Sequence, residues 1–208
     1  MKYNLTLGGI YKTAWDERPL RIIGLDNIEV FYDCLWPHNN AWTFSGDFEK
    51  KCHFYRTSRE WFGEKSELLE NLPFTEEEHK VFRADLPMRF GRNRELKWNS
   101  FGVSGFDEFV MKAKTLKDNK FLDDRIEVKE IILIPYGPKG GFQKGTIVKA
   151  DNGKFFECVE AIWKAKQLQE TVNENTSEGI GIYRLGFEKG LPSYYIGQYK
   201  DLAGLLPD

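Results

Sequence analysis

Four side chains between residues 34 and 53 are of the types that hold zinc: Cys34, His38, Cys52 and His53. Thiolates and imidazoles grouped in fours build closed tetrahedral sites. The spacing argues against such a site, because neighbours such as Cys52 and His53 point to opposite faces of a strand. The two cysteines are expected to be small core residues and the histidines to lie at the surface or in hydrogen bonds. Neither a metal nor any cofactor is expected.

Asp85, Glu95 and Lys97 form a second set, in the D-x9-E-x-K order of a restriction-type nuclease core. Two carboxylates can hold Mg²⁺ while a lysine positions or activates the attacking water. Such cores place E-x-K on a buried apolar strand, whereas Arg92-Asn93-Arg94 precede it here. The same stretch is the basic island of the chain: from Lys80 to Lys97 there are six basic and two acidic residues. Phe90 and Trp98 interleave with Arg89, Arg92 and Arg94, and rings beside arginine can serve a single-stranded nucleic acid. The competing reading is a solvated loop whose arginines pair with the acidic run Glu76 to Glu78.

Other catalytic patterns are missing. The sequence has no G-x-x-x-x-G-K-[ST] loop, no G-x-S-x-G elbow, no H-E-x-x-H and no EF-hand loop. Only three histidines are present, so a nucleophile activated by imidazole would need His38, His53 or His79. Cys34 with His38 is the best placed pair, and strand alternation sets Cys34 beside core-facing rings instead.

Aromatic residues are abundant, with 16 Phe, 9 Tyr and 6 Trp. Tyr and Trp combine contact area with a hydrogen-bonding tip, which suits a binding face. Trp15, Tyr32, Trp36 and Trp42 are the N-terminal candidates for such a face, with Arg89, Arg92 and Arg94 as its basic counterpart further on.

These groups must be positioned by a chain that reads as strands, then helices, then strands. Residues 21–36 read as a hairpin about Asp26-Asn27, with Val30, Tyr32, Cys34 and Trp36 on one strand face. Residues 146–163 look like a second copy about Asn152-Gly153, since Asn-Gly is a strong turn signal. The apolar spacing of Phe155, Val159, Ile162 and Ala165 competes with that reading and would suit a helix over 155–172, but Asn-Gly tips the expectation to a strand that passes into helix near Lys164. Strands are expected at 9–13, 41–45, 51–55 and 127–134, and a last hairpin over 179–199 turning around Lys189-Gly190-Leu191-Pro192. Thr75 with Glu78 is a capping-box helix start. Helices are also expected over 58–70 and after Ser104.

The expected fold class is α+β, mostly β, with small curved-sheet or SH3-like barrel elements at both ends and a helical middle segment. The boundaries read as 1–56, 57–120 and 121–208 within one compact unit. Thirty basic and 32 acidic residues give a net charge of −2, which disfavours a dedicated polyanion binder. Three cysteines describe no disulfide framework, and the start of the chain lacks the apolar run of a signal peptide, so a cytoplasmic protein is expected. The weak catalytic inventory beside the rich ring inventory favours a non-enzymatic intracellular protein that engages another protein through an aromatic and mixed-charge surface, with no membrane contact. The alternative is a nucleic-acid-binding protein or Mg-dependent nuclease centred on 85–97, and a subunit of a larger assembly is a third reading.

Overall fold

The computed structural model describes residues 3–38, 40–43, 51–90, 103–115, 123–172 and 180–198. It is α+β and mostly strand, and among the described residues none of the sheets closes into a barrel. Among the described residues no helix is long and apolar enough to cross a membrane. The chain divides into two compact units, residues 1–88 with Gly186–Pro192, and residues 89–185 with Ser193–Asp208.

Unit 1 carries β1 (Gly9–Thr13), β2 (Leu20–Leu25), β3 (Glu29–Trp36), β4 (Ala41–Trp42), β5 (Cys52–His53) and β6 (Tyr55–Ser58). Helix α1 (Arg59–Lys65), β7 (Ser66–Asn71) and helix α2 (Glu76–Phe82) follow. Its main sheet is antiparallel, in the order β4-β3-β2-β1-β7, with β6 also on β3. The β2–β3 hairpin forms as the sequence suggests. Its loop lacks Asn-Gly and is closed by Asp26, whose Oδ1 accepts from the Ile28 and Glu29 amides at 2.7 Å each. An irregularity between Ile22 and Gly24 adds the bulge.

Period-two alternation gives this sheet two distinct faces. On one, Leu20, Ile22, Val30, Cys34 and Tyr11 pack with Phe62 of α1. On the other, Ile23, Phe31, Phe54, Met88 and Phe187 pack with Val81 and Phe82 of α2. That second face also buries charge. Arg21 is 1% exposed and Asp33, its cross-strand partner, 0%.

The Thr75 capping box forms in full: the Thr75 hydroxyl accepts from the Glu78 amide and Glu78 Oε2 accepts from the Thr75 amide. Glu78 Oε1 meanwhile accepts from Arg21 at 2.7 Å. Burial pushes the Glu78 carboxyl up, but the Arg21 and Thr75 hydrogen bonds outweigh it and hold the group below its usual 4.5. A carboxyl lowered in the folded state stabilises above its ordinary value, and that stability is lost as the pH falls through the folded value.

Two expectations are corrected in this unit and the next. The helix expected over 58–70 ends at Lys65, and Ser66–Asn71 form β7 against β1. Pairing with β1 outweighs the local helical preference of Glu-Leu-Leu-Glu. The second hairpin, over 146–163, does not form. Asn152-Gly153 is a turn, with Gly153 at φ 69° and Asn152 Oδ1 accepting from the amides of Lys154 and Phe155. It leads after a two-residue strand into a helix, so the resemblance to 21–36 is not structural.

Unit 2 carries β8 (Arg89–Phe90), helix α3 (Phe106–Lys114), β9 (Arg125–Ile126), β10 (Glu130–Ile134), β11 (Thr146–Lys149), β12 (Phe156–Glu157) and helix α4 (Cys158–Val172). Strands β13 (Ile180–Glu188) and β14 (Leu191–Gln198) complete the chain. The segment 57–120 thus holds β7 and β8 as well as helices. Within unit 2 the sheet runs β11-β10-β14-β13, with β8 paired to β13. Strand β10 lies parallel to β14, and its Ile131 to Ile134 run is buried on both faces. The last hairpin forms, and its turn is tighter than expected: Lys189 and Gly190 both have positive φ, 54° and 71°, as a type I′ turn requires, and Leu191 and Pro192 already belong to β14. Its tip belongs to unit 1, where Gly186 pairs with His53. A Cβ at Gly186 would lie 1.9 Å from the Cys52 carbonyl oxygen, so only glycine fits.

Arg21→Met would leave Asp33 and Glu78 buried without their counter-charge, and urea unfolding should show a loss of about 3–5 kcal/mol. Adding Glu78→Gln keeps the capping geometry, removes one carboxylate charge and should restore part of that loss. A cost under ~1 kcal/mol for the single change would mean that the ion cluster does not hold α2 on the sheet.

Candidate functional site

The rings of unit 1 assemble on the α1 side of the sheet. Ser58 caps α1 by accepting from the Trp61 amide at 3.1 Å. The first turn therefore sets Trp61 outward and Phe62 inward: Trp61 is 40% exposed and Phe62 0%. Trp15, just past β1, lies 4.0 Å from Trp61 and 5.6 Å from Phe62 between ring centroids. Tyr32 on β3 stacks on Tyr55 of β6 at 5.7 Å and 24°, and reaches Phe62 at 5.9 Å. Trp15, Tyr32, Tyr55 and Trp61 therefore form one connected cluster around buried Phe62. Its members range from half-buried to exposed, with Tyr55 at 39%.

An ion pair borders the cluster. Asp16 and Arg18 meet fork to fork, at 2.9 Å from Nε to Oδ1 and 2.6 Å from Nη2 to Oδ2. Those Arg18 hydrogen bonds hold the Asp16 carboxyl below its usual value and raise Arg18 above its own. The Arg18 guanidinium stands 4.4 Å over the Trp36 ring, and Trp36 Nε1 donates to Thr43 Oγ1 at 2.9 Å. Burial raises the Tyr32 hydroxyl pKa, Cys34 adds to the rise, and a hydrogen bond with Trp15 opposes it.

This arrangement has little to offer as covalent chemistry. Burial pushes the Cys34 thiol up to about 12, against a partial opposing pull from Arg18. Asp16 is charge-paired and close to its neighbour Arg18. The surface presents rings, one fixed cation and one fixed anion, which can recognise apolar and polar features of a partner together.

The residues proposed from sequence are thus distributed unevenly. Trp15 and Tyr32 lie in the cluster, and Trp36 lies beside it under Arg18. Trp42 does not join them. It pairs with Leu35, so it faces the other side, where its ring stands 4.6 Å from the buried Arg21 guanidinium. Tyr55, Trp61, Asp16 and Arg18 were not singled out by sequence reading. Ser58 three residues before Trp61 is the signal that could have placed Trp61 on a first helical turn.

Arg89 is half-buried on β8 in unit 2, opposite Tyr183. Arg92, Arg94, Glu95 and Lys97 lie outside the described residues. Asp85 is engaged by Arg83, at 3.0 Å to Nε and 2.6 Å to Nη2. Cys34 is buried, Cys52 half-buried, and His38 and His53 exposed. Among the described residues no three His, Cys, Asp or Glu side chains come together to hold a metal ion. Comparison with known proteins yields no match to a family model, a curated protein or a solved structure.

Burial ranks the three thiols. Cys158 is also held well above its usual value, chiefly by burial. A thiol-reactive chromogen at pH 8 should therefore label Cys52 first and reach Cys34 and Cys158 only on unfolding. Rapid labelling of Cys34 in the native protein would contradict the burial of the β3 face.

Proposed function

We propose that the protein is a non-enzymatic binding protein that engages another protein through the Trp15, Tyr32, Tyr55 and Trp61 cluster and its Asp16–Arg18 border. The connected exposure of these rings on one side of the unit 1 sheet supports the reading most directly. Tryptophan and tyrosine are the residues on which interface energy concentrates. A ring group left partly in water on a folded surface is a cost that a partner would relieve. Phe62 beneath and the Ser58 cap behind fix the rings, so little side-chain freedom remains to be lost on binding. Trp36 under Arg18 extends the surface with a mixed-charge edge.

The test is affinity capture from nuclease-treated extract of the native host. Trp61→Ala and Tyr55→Ala change rings that are well exposed, so Tm should move little while a defined protein partner is lost. Partner retention by both variants, with Tm unchanged, would overturn the assignment of the site. Loss of the captured material on nuclease treatment alone would favour the nucleic-acid alternative for the chain.

A further inference from the structure

A different surface, in unit 2 and independent of the ring cluster, carries a run of lysines without acidic residues beside them in sequence. Between Glu130 and Asp151 the sequence contains no Asp or Glu and three lysines, Lys139, Lys144 and Lys149, in a chain whose net charge is −2. The structure makes this stretch the β10–β11 hairpin. Strand β11 is the edge of its sheet among the described residues, and residues 138–144 of the loop are all exposed.

The loop is built, not slack. At its base the Tyr136 amide donates to Gln169 Oε1 at 3.0 Å, and Gln169 Nε2 donates back to the Tyr136 carbonyl at 2.9 Å. Both partners are buried, so α4 clamps the hairpin. Further along, Gly137 N–H donates to the Gly141 carbonyl, Gly140 N–H to that of Gly137, and Gln143 N–H to that of Pro135. Gly140 and Gly141 take φ of 79° and 80°, and an added Cβ at either would meet nothing within 4 Å. Open space on both sides of the tip lets a ligand approach the backbone closely.

Beside the glycines stands a ring. Phe142 is 47% exposed, yet fixed at 4.6 Å from the Tyr195 ring at an interplanar angle of 74°. Of the lysines, Lys149 shares its charge with Glu130 at 3.1 Å. Lys139 and Lys144 flank Phe142 in sequence, within a stretch from 131 to 150 that contains no Asp or Glu.

We propose that this hairpin binds single-stranded nucleic acid, with Lys139 and Lys144 on backbone phosphates and Phe142 under an unstacked base. Cations that track phosphates, with a ring between them to stack a base, are the two elements of sequence-tolerant single-strand binding. A duplex keeps its bases stacked and would leave Phe142 unused. An acidic protein segment would use the lysines alone.

Anisotropy of a fluorescein-labelled oligothymidylate, titrated with the whole chain at several salt concentrations, reads the proposal. Two neutralised phosphates should give a log–log salt slope of about −1.4. Phe142→Ala should weaken binding roughly tenfold or more, and Lys139→Gln with Lys144→Gln should flatten the slope. All three positions are exposed, so unchanged Tm is expected and is checked. Absence of binding at low salt would overturn the proposal. So would loss of binding in Arg92→Gln/Arg94→Gln with the hairpin variants unaffected, or full competition by inorganic polyphosphate with no effect of Phe142→Ala.

Discussion

Glu78 carries two obligations with its two oxygens. One accepts from the Thr75 amide and completes the cap of α2, and the other accepts from Arg21 at the centre of the sheet. Arg21 is enclosed by the rings of Trp42, Phe74 and Phe82 at 4.6, 5.3 and 5.6 Å, with Asp33 at 3.9 Å across the strand pair. A guanidinium so far from water is tolerable only with its counter-charges in place. The ion cluster thereby fixes which face of the sheet takes α2. The opposite face, whose side chains at Val30, Tyr32, Cys34 and Trp36 alternate with Phe31 and Asp33, is left for the short helix α1.

That division explains why the rings of unit 1 have two fates. Trp42, half-buried on the Arg21 side, lies against that guanidinium. Trp15, Tyr32, Tyr55 and Trp61 stand on the side that α1, a single two-turn helix, covers only in part. The chain turns into β7 after Lys65, so the helix on this side stays two turns long. The near-neutral total charge conceals a second contrast, between the ring surface with its paired Asp16–Arg18 edge and the loop of the β10–β11 hairpin, which has lysines and no Asp or Glu.

Local signals in the sequence carried a good part of this. Thr75 with Glu78 and the turn residues after Glu188 act through neighbours in the chain, so the capping box and the place of the last turn were legible. The face shared by Tyr32, Cys34 and Trp36 follows from alternation alone. What depends on pairing was hidden. The register of β4, which turns Trp42 toward Arg21, is set by opposition to Leu35 across a loop. Likewise, Ser66–Asn71 become a strand because β1 offers an edge, and Asn152-Gly153 serves a helix because Asp151 N–H donates to Glu160 Oε1 in the first turn of α4. Of the binding residues read from sequence, Trp15 and Tyr32 reach one cluster, while its exposed members Tyr55 and Trp61 come from elements whose ends only tertiary pairing defines.

Hydroxyl-radical footprinting of the protein alone and in complex with its native partner puts the claim of a ring-based docking face most directly to measurement. Tyr55 and Trp61 should oxidise readily in the isolated protein and become protected together with Trp15 in the complex, while the oxidation of Trp42 is the same in both. Unchanged oxidation of these three rings in the complex, with protection elsewhere, would contradict the account.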